Sequence, residues 1–313
     1  MNLCSLVLLL AALVELSAAS GHDETIALPT NVLRVVELQT ALIREGISPG
    51  PIDGLFGAQT AAALRAFQQK RALTVTGRMD ETTRTNLPPI EPLFVSYTVM
   101  SNDIDRLVTI PSTWVGKSLL PALDYEAVLE LVAEKHQTHT KLVQRINPAL
   151  NWTNIAEGAI ILVPNAQYPP VSAKAALLRI GLSERTLQAF DAATNLLVHF
   201  PCSIAQRVEK RPVGELRVSS IAENPNYTFD PAIFPESPEA QDLGRKLILQ
   251  PGPNNPVGTV WIGLDRPGYG IHGTPLPEKV GRTESHGCFR LANWNAEYLL
   301  KLVSVGTPVV IQP

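Results

Sequence analysis

Near the C-terminal end of the sequence, two histidines bracket a loop that ends on a cysteine. The runs are Ile271-His272-Gly273-Thr274 and Ser285-His286-Gly287-Cys288-Phe289-Arg290-Leu291. These residue types suit a thiol nucleophile and its base. A thiolate attacks where a thiol does not, and an imidazole within hydrogen-bond reach can take the thiol proton. A fixed acceptor can hold that imidazole in one tautomer. Two histidines flank the loop, so one can be the base while the other shapes the site. Glycines at 273 and 287 let the backbone approach a bound carbonyl. N–H groups near Cys288 would then stabilise a tetrahedral oxyanion. A zinc site from His272, His286 and Cys288 is a second reading, although it lacks an evident fourth ligand. A structural reading makes the histidines core residues and Cys288 a buried apolar thiol.

The ordered set, a His-Gly, a loop, then Ser-His-Gly-Cys-Phe-Arg, resembles the signature of the L,D-transpeptidase (YkuD-type) catalytic domain. That resemblance implies Cys288 as nucleophile and His272 as general base, oriented by the Gly273 carbonyl. It implies an oxyanion site formed by His286, Gly287 and Cys288, and substrate contacts from Ser285 and Arg290. It implies no cofactor and no metal. The runs Asn224-Pro225-Asn226-Tyr227, Pro251 to Gly258 and Trp261-Ile262-Gly263-Leu264 also match the family. Arg211-Pro212-Val213-Gly214-Glu215 matches its usual Thr-Pro-X-Gly turn only in part. A papain-like peptidase fits less well, because no histidine follows Cys288.

The elements that must position these residues are β-rich. Leu177 to Gly181, Thr186 to Asp191 and Leu196 to Ile204 read as a meander turning at Ala193-Thr194-Asn195. Asn293 is placed to cap a helix running to about Val303, and Pro308 to Ile311 reads as a last strand. The catalytic domain is expected over 173–313. Its Pro-rich, acidic segment between Tyr227 and Arg245 reads as a flap over the site.

Upstream, Leu33, Val36, Ala41 and Leu42 mark an amphipathic helix, and Ala61, Leu64 and Phe67 mark a second from about Gln59 to Lys70. Asp80 would cap a short third. The block 31–88 resembles the peptidoglycan-binding type 1 domain, a small all-α three-helix module. Leu38-Gln39, Asp53-Gly54, Phe56-Gly57, Phe67-Gln68-Gln69 and Val75-Thr76-Gly77 carry that likeness. Pro88-Pro89-Ile90-Glu91-Pro92 is a stiff linker. The block 95–165 reads as strand, helix (Tyr125 to His136), helix (Lys141 to Ile146) and strand, an α+β order resembling a LysM module. An insertion between Val99 and Tyr125 departs from a compact LysM, so the block is expected to be a spacer. His136 and His139 are expected at its surface.

The chain has 313 residues, 45% of them hydrophobic, and a net charge of −3. That supports a multi-domain protein with real cores and gives no electrostatic case for nucleic acid. Leu3 to Leu16 is apolar and Ser17-Ala18-Ala19 supplies small residues, so 1–20 reads as a signal peptide. Met1-Asn2 carries no positive charge, which leaves a retained N-terminal anchor as the alternative. The expected location is the periplasm or cell wall, with no stable membrane partner required. Once 1–20 is removed, Cys202 and Cys288 remain, and both are expected as free thiols, Cys202 in the core.

The resemblance implies a cell-wall L,D-transpeptidase. It would form a cysteine thioester with a peptidoglycan tetrapeptide stem, release D-alanine and pass the acyl group to an amine. Its partners would be stem peptides, glycan strands and carbapenem inhibitors. The alternatives are an L,D-carboxypeptidase and a non-catalytic peptidoglycan anchor.

Overall fold

A computed structural model describes residues 28–233, 238–283 and 287–313. The predicted signal segment, Ser285 and His286 lie outside the described residues, as does part of the proposed flap.

The N-terminal module has three helices, α1 (Thr30–Arg44), α2 (Ala58–Lys70) and α3 (Glu81–Asn86). Leu42, Leu64 and Phe67 are fully buried where α1 and α2 meet, while Val36 packs toward Leu142 and Ile146 of the middle module. Two buried glutamines hold its loops. Gln39 accepts from the N–H groups of Asp53 and Gly54 and donates to the Asp53 carboxylate. Gln68 accepts from the N–H groups of Thr76 and Gly77 and donates to Thr83. Asp80 caps α3 by accepting from the Thr83 N–H at 2.8 Å.

In the middle module, β1 (Phe94–Thr98) is followed by α4 (Ser101–Ile104), α5 (Trp114–Ser118), α6 (Val128–Lys135), α7 (Thr140–Ile146) and β2 (Ile160–Pro164). β1 and β2 pair antiparallel. Asn147 ties α7 to β2, exchanging hydrogen bonds with both backbone groups of Leu162 at 2.8 Å. α6 starts three residues later than the pattern predicts. Ala127 is extended, and the Glu126 N–H is taken by the Glu130 carboxylate. His136 is half-buried against Tyr97, not at the surface, and burial lowers its pKa to about 4. His139 is also half-buried, and its Nδ1 accepts from the Lys141 N–H.

The remaining elements are β3 (Leu177–Gly181), β4 (Thr186–Phe190), β5 (Leu196–Pro201), β6 (Gly214–Glu223), β7 (Tyr227–Phe229), α8 (Pro238–Asp242), β8 (Leu247–Leu249), β9 (Val260–Leu264), β10 (Gly270–His272), β11 (Phe289–Arg290), α9 (Asn293–Leu302) and β12 (Pro308–Gln312). Eight strands form one sheet in the order β11-β10-β9-β6-β12-β3-β4-β5. The sheet curls until its two ends meet, because Ser203, just past β5, bridges Arg290 on β11. Its core gathers Leu178, Ile180, Phe200, Ile262, Ile271, Phe289 and Val309, with Leu299 of α9 laid against them. Cys202 lies in this core, fully buried, and neither it nor Cys288 is in a disulfide. Asn293 does not cap α9. The cap position is Ala292, and the Asn293 side chain turns inward.

The modules pack on one another. Ile47 pairs with His199 of β5, and Ile52 pairs with Thr138 of the middle module. Leu196 and Phe190 enter the three-helix core. The insertion of the middle module packs on the β7–β8 hairpin. Trp114 stacks on Phe229 at 4.2 Å between ring centres.

Candidate active site

β10 and β11 run parallel, with Ile271 beside Phe289 and His272 beside Arg290. Side chains alternate along a strand, so neighbours in the chain face opposite ways. Ile271 and Phe289 point into the core and are essentially unexposed. His272 and Arg290 therefore share the other face, on adjacent strands, and Cys288 lies immediately before β11, both it and His272 within electrostatic reach of Arg290. Leu291 donates to the His272 carbonyl at 2.8 Å and locks the register just past the pair.

The His272 Nδ1 lies 2.6 Å from the Gly273 carbonyl oxygen. A carbonyl only accepts, so Nδ1 carries the proton and Nε2 keeps its lone pair. Burial drops the His272 pKa to about 4, with the nearby Arg290 charge acting the same way. The ring is thus a neutral base at neutral pH. The Trp261 indole stacks on it at 5.6 Å between centres. Gly270 is required beneath that indole, since a Cβ there would lie 2.6 Å from the Trp261 ring.

Gly273 is fixed from behind. A Cβ on it would sit 2.1 Å from Asn293 Oδ1, and Gly258, at a φ of +63°, packs as tightly against the same oxygen. Asn293 Nδ2 in turn donates to the Glu134 carboxylate of α6 at 3.0 Å. Glu134 is half-buried, and desolvation, with Glu297 and Glu130 nearby, pushes its pKa to about 8. A carboxyl group of the middle module therefore stands behind the loop that orients the base.

Cys288 is half-buried, with its Sγ 3.6 Å from the Gly268 carbonyl. Burial raises its pKa above the ordinary thiol value, against the opposing pull of the Gly270 N–H and Arg290. The resting groups are therefore a neutral thiol and a neutral imidazole. Arg290 and Cys288 both interact electrostatically with Tyr227 of β7, whose pKa burial raises to about 12. A cavity of about 240 Å³ opens beside Arg290, lined by Ser203, Thr274, Leu276, Lys279, Val280 and Thr283.

Of the predicted site residues, the fold brings His272, Gly273, Cys288 and Arg290 together, with Gly287 next to the nucleophile. Sequence reasoning missed Trp261, Tyr227, Asn293 and Glu134 as parts of the site. Trp261 and Tyr227 stood in runs already marked by the family resemblance. Asn293 read as a helix cap, and nothing in the sequence singled out Glu134.

A mainly-β domain thus carries this histidine and cysteine behind a helical N-terminal module. Residues 176–311 match the family model of the L,D-transpeptidase catalytic domain, YkuD, and residues 32–87 match that of a peptidoglycan binding domain, PG_binding_1. The chain thus carries a YkuD-type L,D-transpeptidase catalytic domain behind a peptidoglycan-binding type 1 domain. A Bacillus licheniformis protein named L,D-transpeptidase YkuD is 26% identical over 185 residues, covering 59% of this chain and 93% of its own length. A Bacillus subtilis protein named L,D-transpeptidase YqjB is 39% identical over 106 residues, covering 32% of this chain and 51% of the relative. An Escherichia coli protein named L,D-transpeptidase YbiS is 27% identical over 184 residues, covering 58% of each. The chain thus spans between half and three fifths of the length of the second and third relatives. Among solved structures, an L,D-transpeptidase from Mycobacterium smegmatis aligns at 20% identity over 51% of this chain and 76% of that one, with a TM-score of 0.34, too slight a likeness to argue from.

Proposed function

We propose that the chain is an exported cell-wall enzyme that transfers the acyl group of a peptidoglycan tetrapeptide stem through a thioester on Cys288. The observation that carries this reading is the neutral His272, fixed through Nδ1 to Gly273 and paired with Arg290 on the strand that Cys288 leads into, with both His272 and Cys288 in reach of the Arg290 charge. The sulfur attacks the carbonyl preceding the terminal D-alanine, and its proton passes to His272 Nε2 as the S–C bond forms. Because both groups rest neutral, transfer and attack go together. In this reading the N–H groups of Gly287 and Cys288 receive the oxyanion, as the family resemblance implies. Collapse breaks the C–N bond, and the imidazolium proton goes to the departing D-alanine nitrogen. An acceptor amine then attacks the thioester and gives its proton to Nε2, and the thiol is restored. Water in the amine's place gives the carboxypeptidase product from the same intermediate. Ser285 and His286 take part by family resemblance alone.

The modules fit a polymeric substrate, since wall binding raises local substrate concentration. Leu55 and Phe56 are exposed on the loop that Gln39 holds, a natural apolar platform for a sugar ring. The β-α-α-β order of the middle module keeps a LysM-like reading open, with its insertion turned to the catalytic domain. The periplasm or cell wall is the compartment this substrate requires.

The test is intact-protein mass spectrometry after carbapenem treatment, followed by product analysis with disaccharide-tetrapeptide. The wild-type chain should gain one adduct and release D-alanine, and Cys288→Ser should do neither. His272→Ala should acylate about a hundredfold or more slower, the usual cost of losing a general base. Adduct formation on Cys288→Ser, or none on the wild type, contradicts the assignment.

A further inference from the structure

A sizeable cavity lies away from Cys288. It lies between α2 of the N-terminal module and strands β3, β4 and β5, and encloses about 690 Å³. That is the size of a small-ligand site, yet its lining is rich in hydrogen-bond donors. Arg65 enters from α2, and Arg179 and Arg185 from the β3–β4 hairpin, with the Gln59 and Gln188 amides between them. Opposing these guanidinium groups are Glu184 and the Pro313 end, which share the Ser183 hydroxyl at 2.9 Å. His199 lies in the wall, 4% exposed. Its Nδ1 sits 3.3 Å from Gln188 Nε2, and its Nε2 has no hydrogen-bond partner among the described residues. Burial, with Arg65 nearby, lowers its pKa to about 4, so it adds a neutral donor and not a charge.

This cavity backs onto the active-site loop. Gly281 lines it, while the preceding residue, Val280, lines the cavity beside Arg290. Gln59 Nε2 donates to the Val280 carbonyl at 2.6 Å, and the Gly281 N–H donates to Ser203 Oγ at 2.9 Å. A two-residue partition therefore separates the two spaces.

We propose that this cleft is a second peptidoglycan site, which takes the free carboxylate of a stem peptide. Arginine forks match a carboxylate in two parallel hydrogen bonds, and the glutamine amides suit the peptide groups next to it. Ala58, Ala62 and Ala66 of α2 give a low wall along which a short stem with small side chains fits. The site rests on the peptidoglycan reading above. It holds one stem against the back of the loop while another is processed at the front.

The test uses the full chain carrying Cys288→Ala, which cannot turn the ligand over, titrated calorimetrically with soluble disaccharide-tetrapeptide. Adding Arg65→Gln and Arg179→Gln should weaken binding about tenfold or more, the scale of a lost charge-assisted hydrogen bond. A tetrapeptide with its carboxylates amidated should bind the parent as weakly. Unchanged binding by the arginine variant overturns the proposal. Inorganic phosphate binding as tightly as the tetrapeptide overturns the stem-peptide assignment. Arg179 stacks on Phe190 at 4.6 Å, so Arg65→Gln alone, on the exposed side of α2, carries the test should the double variant unfold. In the Cys288-intact chain the same arginine substitutions should leave the carbapenem acylation rate unchanged. Failure of acylation in the Cys288-intact chain without arginine substitutions would count against the enzyme reading while the cleft titration still reads the second site.

Discussion

The catalytic domain is gripped from two directions, and the two junctions are built differently. The N-terminal module meets it through one apolar plug, Leu196 and Phe190 set among Leu38, Leu42, Leu64 and Phe67. Beyond that plug the contact is backbone and polar. Ser48 donates to the His199 carbonyl at 2.8 Å, His199 donates to the Gly46 carbonyl at 3.1 Å, and a wide arginine-lined cleft stays open. The insertion of the middle module closes its junction instead. Trp114, Ile110, Val115 and Leu120 pack with Phe229, Leu247 and Leu249 of the hairpin. The Glu239 carboxylate accepts from the N–H groups of Trp114 and Val115 at 2.7 and 2.9 Å. Glu134 then reaches Asn293 behind the catalytic loop. A dry, interlocked contact fixes geometry, because close-packed side chains cannot shift without loss. A wet one leaves room for a ligand. The middle block, expected as a spacer, is the part that shapes the site.

The largest effect should come from Phe229→Ala. Phe229 is fully buried under Trp114, and such truncations cost about 3–5 kcal/mol. Urea unfolding of the full chain should show that loss. Carbapenem acylation should also slow, because Tyr227 on the same strand faces Cys288 and Arg290. Leu196→Ala, in the other plug, should cost about 2–3 kcal/mol and leave acylation unchanged. Equal slowing by both variants would erase the distinction between the junctions.

Glu134→Gln comes next, and its effect depends on pH. Glu134 has a folded pKa of about 8 against an ordinary 4.5. Around it are Tyr125, Asn293, Glu130 and Glu297. A carboxyl group raised on folding stabilises the fold below its unfolded pKa, and that contribution is lost as pH rises through the folded value. The wild type should therefore lose stability between about pH 4.5 and 8, and Glu134→Gln should lose less. Scanning calorimetry should find the two closest at pH 4 and the variant ahead at pH 9. Parallel curves across that window would mean that Glu134 is not held protonated.

Much of this was legible in the sequence wherever the signal is local. The alternation in 177–201 marks the three-stranded meander, and the helical spacing of Ala61, Leu64 and Phe67 marks α2. The His272 to Cys288 pattern marks two residues that the fold sets within electrostatic reach of one arginine, Arg290. What stayed hidden is non-local. β11 is two residues long and pairs in parallel with β10 across a loop, a contact that no periodicity announces. Glu134, between Ala133 and Lys135, looks like one turn of a solvated face until another domain covers it. Asn293 has the residue type of a cap, but Gly258 and Gly273 leave a space that its side chain fills. The insertion after Val99 looked like a defect in a small module because its partner hairpin lies more than a hundred residues on.

The smallest effect should come from Gln59→Leu, at the partition between the two cavities. It removes the 2.6 Å hydrogen bond to the Val280 carbonyl. A single neutral hydrogen bond of this kind contributes about 1 kcal/mol. Gln59 is half-exposed, so water can reach the freed carbonyl and the melting temperature should barely move. The local consequence should be larger than the global one. Val280 is also held by its own N–H, which donates to the Pro277 carbonyl, and Gly281 is held by Ser203. With Gln59 gone, the Arg282–Asp53 ion pair at 3.8 Å still ties the loop to the N-terminal module, but amide exchange over 279–283 should quicken. Exchange over the β7–β8 hairpin should not change, because its contacts come from the middle module. Faster exchange at both places would show that the junctions are mechanically one, and the division into a wet hold and a dry one would fail.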